Sequence, residues 1–559
     1  MARPADHPPL WRSGEFVSEP TDAIDDRIEV GVLVVGGGPA GLACAIRFGQ
    51  LLEEDPQTAE RLGEVPLAVL EKGKQPGSHL LSGAVVNPRS LQRLLGDRVR
   101  IDDIPSYGRV LRESVCVLTG RRALPVPTPP TMRSKGNIIF SVSQLGRWLA
   151  ERAEEGGAMV LSETAAERLL VADGAVVGVR TGDKGRGLNG KELGNFEAGN
   201  DIVAKVTVLA EGTQGHLTGV AIDRFGLPGR DPQVWELGVK EVWKVAKPLD
   251  RVITTMGWPL RPQANFREFG GAFIYPMGED MLTIGFVVGL DYRDVELSAH
   301  DLLQEVKTHP KIRPLLEGGE RLEWGAKTIP GGGFHSLPTK FHASGVLLCG
   351  DGPGMVNIPA LKGVHYAIES GRLAAEAAFA AVQSGSGLGT YDDAIRSSFI
   401  WQDLHEVRDM RHVFGRGLLV GGALAGGMML SKGRISIGKL RTTPDATQPL
   451  LRTGRAARYP AADGKVTFDK LSSVFASGNK TRDDQPNHIR IEQRVPRDVA
   501  DMWVHMCPAK VYTAGPESDD GLVTVETEPS NCVQCGAITA KGGRLTPPEG
   551  GSGPEYTQT

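Results

Sequence analysis

The stretch that decides the fold is residues 27–48, RIEVGVLVVGGGPAGLACAIRF. An apolar run, Val30 to Val35, stops at Gly36-Gly37-Gly38-Pro39-Ala40-Gly41, and a small-residue helical pattern follows. This is strand, tight turn and helix opening, with Gly36, Gly38 and Gly41 at the three fingerprint positions of a dinucleotide-binding unit. Gly36 permits the turn, Gly38 lets the backbone approach a pyrophosphate, and Gly41 lets helix and strand pack closely. The helix N-terminus offers unpaired N–H groups and a positive dipole end to phosphate oxygens. A second strand-like run, Pro66 to Leu70, ends at Glu71, an acid placed to bond a ribose hydroxyl. Its distance from Gly41 exceeds the usual ~20 residues, because residues 51–64 are polar and read as an insertion. Pro39-Ala40 and Glu71-Lys72 favour FAD over NAD.

Further along, GVLLCGDGPGMVNIPALKGVHYAIESG (345–371) reads as a buried strand, Val346 to Cys349, with Asp351 and Gly352 at its C-terminal end. An aspartate there suits the ribityl chain or a ribose of FAD. Ser78, His79, Ser82 and Gly83 form a small polar loop where backbone could come close to an isoalloxazine; an ordinary loop is the alternative. The run Val206 to Ala210 closes on Glu211-Gly212, with Gly215-His216 behind it, a third expected contact with the dinucleotide. Ser143 to Glu155 reads as an amphipathic helix.

Composition narrows the function. The chain has 559 residues, 40% apolar and 23% charged, and suits two to four globular domains at ~150 residues each. A net charge of −4 argues against nucleic acid as a partner. No 18-residue apolar run exists, and the first sixteen residues resemble neither a secretory signal nor a typical transit peptide. Of six cysteines, Cys44, Cys116 and Cys349 are isolated, whereas Cys507, Cys532 and Cys535 crowd the last tenth. That cluster reads as metal ligation in a reducing compartment.

Residues 233–335 change character, with four of the eight tryptophans and strand-like runs broken at Gly257-Trp258-Pro259 and Gly270-Gly271. They read as a β-rich domain inserted into the first, of the kind that covers a flavin and builds a substrate site. Two segments suit a membrane surface. ALPVPTPPTM (123–132) is apolar and proline-rich between Arg121-Arg122 and Arg133 and Lys135; a stiffened surface loop is its alternative. GLLVGGALAGGMML (417–430) is too short to span; Arg408, Arg411 and Arg416 precede it, and Lys432, Arg434, Lys439 and Arg441 follow. A buried core helix is the alternative there. Residues 1–26 read as a surface arm and 431–465 as a linker. Cys507-Pro508 with Cys532-Val533-Gln534-Cys535 has ferredoxin-like spacing, but position 538, where a fourth ligand is expected, is Ile538.

With these stretches in view, the chain resembles electron-transfer flavoprotein–ubiquinone oxidoreductase along nearly its whole length. The resemblance rests on GGGPAGL (36–42), EKGKQPGSHLLSGA (71–84), LGVKEVW (237–243), GWPL (257–260), GGAFIY (270–275), GPGMVNIPALKG (352–363), CPAKVY (507–512), NCVQC (531–535) and PEGGSGP (548–554). It implies an α/β fold: a Rossmann-like FAD-binding domain, an inserted β-rich quinone-binding domain and a C-terminal ferredoxin-like domain with a 4Fe–4S cluster. It implies a monotopic flavoenzyme passing electrons from reduced electron-transfer flavoprotein to ubiquinone or menaquinone. By this resemblance Gly36, Gly38, Gly41, Glu71 and Asp351 go to FAD. Gly257, Trp258, Pro259, Gly270 and Gly271 go to the quinone wall, and Cys507, Cys532 and Cys535 to the cluster. The missing fourth cysteine leaves a four-iron cluster with an unusual ligand, a three-iron cluster, or none; Thr539 and Glu549 are weak substitutes. The rivals are a geranylgeranyl-reductase-like flavoenzyme, an NAD(P)H-dependent hydroxylase and a non-enzymatic scaffold; for the first two the cysteine tail has no use. The expected partition is an arm (1–26), the FAD domain (27–232 and 336–385), the inserted domain (233–335), a helical docking segment with linker (386–465) and the cluster domain (466–559). The expected place is the cytoplasmic face of a bacterial inner membrane, ahead of a mitochondrial one.

Overall fold

The protein is described from a computed structural model covering all residues except 22–26, 415–417, 432 and 435–440. Five parallel strands run side by side in the order Val346–Leu348, Asp201–Leu209, Arg27–Val35, Leu67–Leu70 and Met159–Leu161. Their near-continuous apolar sequences fit a sheet covered on both faces. Helix Pro39–Glu54 follows the glycine turn and packs along helix Val364–Ser384. A Cβ at Gly371 would stand 1.9 Å from the carbonyl oxygen of Ala40, so only glycine allows that approach. The helix expected over 143–155 spans Val142–Glu155, and Ser141 caps it by accepting from Gln144 N at 3.2 Å.

The second sheet has seven strands, in the order Glu320–Pro330, Trp235–Lys244, Met281–Gly289, Gly270–Pro276, Val252–Gly257, Glu113–Leu118 and Ala123–Val126. Five come from the stretch 235–330. The last two come from more than a hundred residues earlier, and Glu113–Leu118 joins Val252–Gly257 in parallel. The inserted sheet is therefore completed by strands from the FAD-domain sequence. The C-terminal part builds a small sheet, Arg494–Pro496, Leu522–Thr527 and Tyr512–Glu517, beside helix Arg497–Met506.

Two expectations are corrected. The described part of the N-terminal arm does not merely lie on the surface: Val17–Ser18 pairs in parallel with Leu169–Leu170, and Phe16 is buried edge-on against His216 at 4.4 Å. Nor are the described residues of the linker free. Arg455 donates to Glu268 at 2.8 Å and to the Pro259 carbonyl at 2.7 Å, and Asp445 accepts from Trp235 N at 2.8 Å.

Candidate functional site

The glycine turn is built as its sequence demands. Gly36 has φ +114°, and a Cβ there would lie 2.4 Å from the Ala210 carbonyl oxygen. At Gly41 a Cβ would strike the Gly36 carbonyl oxygen at 2.0 Å, so this glycine serves packing and does not line the cavity. Gly38 is different. A Cβ there would project into open space, its nearest neighbour Leu80 Cδ2 at 3.6 Å, and Pro39 opens the helix behind it. The turn borders a cavity of about 360 Å³.

Glu71, Ser82, Gly83 and Asp351 all line that cavity, and Gly352 does not. Burial pushes the Glu71 carboxyl above its ordinary range, against the opposing pull of the Gly73 N–H, which it accepts at 2.6 Å, and of Lys72. Burial also pushes Asp351 up to about 6. Glu211, at the end of the neighbouring strand, holds the N-terminus of the next helix, accepting from Leu217 N at 3.0 Å and Thr218 N at 2.7 Å. The Ser82 carbonyl accepts from Lys240 Nζ at 2.9 Å, which joins the predicted flavin loop to the second sheet.

Sequence reasoning missed much of the opposite wall. Lys72, Lys240, Lys327 and Lys362 all border the cavity, and burial lowers each one, Lys240 to about 7 and Lys327 and Lys362 to about 8. The signal was present as single lysines inside apolar strands, LGVKEVW and WGAKTIP. Several buried polar atoms at the cavity have no partner in the protein: both ends of the Gln214 amide, both ring nitrogens of His488, and Gln534 Oε1. Buried polar atoms are normally paired. An elongated ligand with a diphosphate, hydroxyls and ring nitrogens would pair them and meet the lysines. FAD fits this donor set, and the open space at Gly38 is where its phosphates would come closest.

The cysteine site lies one hydrogen bond from this cavity. Cys507, Cys532 and Cys535 are free thiols in or against one apolar cluster. Burial pushes the Cys535 thiol up to about 12 and raises Cys532 as well, and neighbouring cysteines add to both. Backbone N–H groups already point at sulfur, Val511 N to Cys507 Sγ and Gln534 N to Cys532 Sγ, each at 3.4 Å. Such donors stabilise cluster-bound thiolates. Gln534 and Lys510 adopt left-handed φ of 51° and 53°, a costly conformation that persists only where the surroundings impose it. Among the described residues no three His, Cys, Asp or Glu close around a single metal ion. In a four-iron cluster each iron takes its own thiolate, so the ligands stand farther apart than around one ion, and three free thiols supply that donor chemistry. From this turn Cys535 O accepts from Thr328 N at 2.8 Å, and Lys327 Nζ donates to Gln534 O at 3.1 Å. Both Lys327 and Thr328 line the cavity.

None of the expected quinone residues lines this cavity. Trp258 stacks near His309 at 5.5 Å, and Gly257 ends the strand Val252–Gly257 next to Leu118, with Pro259 beyond it. Gly270 and Gly271 open the strand Gly270–Pro276. Gly271 pairs with Val287 and, by strand alternation, shares the face of Phe273 and Tyr275, all three of which border the cavity. Just before it, Phe269 meets Phe414 at 4.7 Å.

The two apolar segments, some 300 residues apart, come together: Thr131 Oγ1 lies 3.7 Å from Met429 Sδ on helix Leu418–Leu430. Leu124, Val420 and Leu361 are each about half exposed (47%, 54% and 49%). Arg121, Arg122, Arg133 and Lys135 are exposed around the loop. The basic flank of the helix needs correction. Arg411 is buried between Asp291 at 2.9 Å and Glu236 at 3.5 Å, and Arg441 pairs with Asp231 at 2.9 Å. Residues Arg416, Lys432 and Lys439, and Gly417 at the segment's start, lie outside the described residues. No described helix is long and apolar enough to cross a membrane.

Comparisons with known proteins agree with this layout. Residues 235–329 match a family model described as ETF-QO, ubiquinone-binding, and residues 464–557 one described as electron transfer flavoprotein–ubiquinone oxidoreductase, 4Fe-4S. The mitochondrial electron transfer flavoprotein–ubiquinone oxidoreductase of Arabidopsis thaliana is 36% identical over 96% of this chain and 86% of its own length. The Caenorhabditis elegans protein of that name is 35% identical over 98% and 94%, and the Rattus norvegicus one 36% over 94% and 89%. Among solved structures, a geranylgeranyl bacteriochlorophyll reductase-like protein from Thermoplasma acidophilum superposes with a TM-score of 0.55 at 16% identity, over 75% of this chain and 95% of its own. A flavin-dependent brominase gives 0.51 at 16%, over 72% and 90%. At such identity these two establish the flavoprotein fold alone. The curated relatives, aligned nearly end to end, establish more: the chain belongs to the electron transfer flavoprotein–ubiquinone oxidoreductase family.

Proposed function

We infer that the protein is an oxidoreductase that passes electrons from reduced electron-transfer flavoprotein to quinone, with FAD and an iron–sulfur cluster as cofactors. The observation that carries this reading is the strand Glu320–Pro330. Thr328 lines the flavin cavity and donates its N–H to the carbonyl of Cys535. A flavin in the cavity and a cluster on the cysteines would thus be separated by one strand, close enough for electrons to tunnel.

The chain's own groups bind, orient and tune. FAD, when bound, can accept electrons singly or in pairs and so match a one-electron cluster to a two-electron quinone. Gly36, Gly38, Glu71 and Asp351 would hold its phosphates and ribose, and Ser82-Gly83 would approach its ring. Lys240 and Lys327, whose proton affinity burial lowers, would be held protonated by the reduced, more negative cofactor and would favour it in turn. A quinone entering near Gly270-Gly271 would find an apolar wall, with Phe269 and Phe414 at its mouth. Helix Leu418–Leu430 and the loop 123–132 would dip into the lipid around that mouth, making the attachment peripheral. We propose the cytoplasmic face of a bacterial inner membrane as its place, whereas the curated relatives are named as mitochondrial, and fractionation of the source cells tests it.

The decisive experiment is anaerobic. Chemically reduced electron-transfer flavoprotein is mixed with the FAD-loaded protein and a short-chain quinone analogue, and quinone reduction is followed by absorbance. Turnover that needs both proteins is expected; turnover with NAD(P)H alone would replace this reading with the hydroxylase one.

A further inference from the structure

A 4Fe–4S cluster takes four protein ligands, and this chain brings three thiolates. The position at the next ligand spacing, 538, carries Ile538, whose side chain has no lone pair. Ile538 is only 3% exposed, shares its apolar cluster with Cys507 and Cys532, and points at Gly543, where a Cβ would stand 2.6 Å from its Cγ1. No other described thiol can help: Cys44 and Cys349 lie in the FAD-domain core and Cys116 in the second sheet. Of the two substitutes considered from sequence, Glu549 is committed elsewhere, accepting from Arg482 at 2.7 Å and from Gly185 N at 2.9 Å. Thr539 offers only a neutral hydroxyl. The charged groups acting most strongly on the three sulfurs are one another and the lysines Lys72, Lys327 and Lys470. The flavin cavity reaches the turn through Gln534, Gly536 and Thr539, which gives small molecules an approach.

We propose that the cluster is held by Cys507, Cys532 and Cys535 alone, and that its fourth iron has no ligand from the protein and is exchangeable. That iron takes a small exogenous anion, a thiolate or hydroxide, and is lost as Fe2+ when a one-electron oxidant and a chelator act on the cluster. The loss balances simply. A [4Fe–4S]2+ cluster holds two ferric and two ferrous ions; releasing one Fe2+ and one electron leaves [3Fe–4S]+ with three ferric ions. A one-electron oxidant takes the electron and a chelator takes the iron. The inference rests on the cluster assignment above and not on the identity of the electron donor.

The test uses full-length protein purified anaerobically with FAD bound. It is treated with one equivalent of ferricyanide in the presence of EDTA, then read by paramagnetic resonance and by released iron. Wild type is expected to release one iron per cluster and to gain the paramagnetic signal of an oxidised three-iron centre. Ile538→Ala and Thr539→Val should behave the same way, whereas Ile538→Cys should keep its iron and stay silent when oxidised. Added 2-mercaptoethanol should shift the spectrum of the reduced four-iron form in wild type and leave Ile538→Cys unchanged. Wild type that retains all four irons under this treatment overturns the proposal, as does protein with full FAD but no iron or sulfide. Loss of release in Thr539→Val overturns it differently, by making Thr539 the ligand. Failure of quinone reduction with these spectra intact would count against the functional reading alone.

Discussion

The flavin cavity and the cysteine turn meet along the strand Glu320–Pro330, and they are furnished very differently. The cavity is over-supplied: glycines that admit phosphate, four carboxylates, four lysines and several unpaired polar atoms converge on it from three parts of the chain. The cysteine turn has the minimum, three sulfurs in apolar surroundings and two left-handed residues held in place by packing. Binding spread over many contacts tolerates the loss of one. Binding concentrated in three ligands does not.

The largest effect should come from breaking the cavity at its one irreplaceable point. Gly38→Val would fill the phosphate space while leaving the fold intact, and the purified protein should release no FAD on denaturation even after reconstitution, with unchanged iron content and far-ultraviolet circular dichroism. Cys532→Ser is the converse. It should remain yellow with full FAD and lose iron and sulfide in elemental analysis. If Cys532→Ser also lost flavin, the two sites would not be separable as described.

Membrane attachment should respond less. Val420 is half exposed on the apolar helix, and burying such a side chain contributes about 1.5 kcal/mol. Val420→Asp should therefore weaken binding to anionic vesicles about tenfold or more in sedimentation assays, with flavin content unchanged. Retained binding would move the contact elsewhere on the surface.

The smallest effect is a pH slope. Burial raises Asp351 from 3.8 to about 6, so the folded apoprotein holds this proton more tightly than the unfolded chain. Its contribution is fully present below pH 3.8 and is lost as pH rises through 6. Asp351→Asn apoprotein should lack that decline, and thermal melts between pH 4 and 7 measure the difference. With FAD bound, the same variant should bind the cofactor more weakly.

Much of this was legible in the sequence, for a physical reason. Parallel strands buried on both faces, a glycine turn and a capped helix are local patterns, and Arg27–Val35, Pro39–Glu54 and Val142–Glu155 lie where those patterns place them. Pairing between distant strands leaves no such trace, and nothing in residues 113–126 announces that they complete a sheet built from 235–330. The proline-rich composition of the N-terminal arm hid Phe16, whose burial depends on His216. Charges near the apolar helix looked like a membrane collar, but Arg411 serves an internal pair with Asp291. The cavity lysines were visible only as odd residues in apolar strands. Their meaning depends on which strand faces them.

The strand Glu320–Pro330 is ground shared by two tenants. A change in the charge of one tenant must be felt by the other through Lys327 and the Thr328 amide, so the flavin's visible spectrum should register the oxidation state of the iron behind it. The flavin chromophore thereby becomes a built-in gauge for the centre beside it.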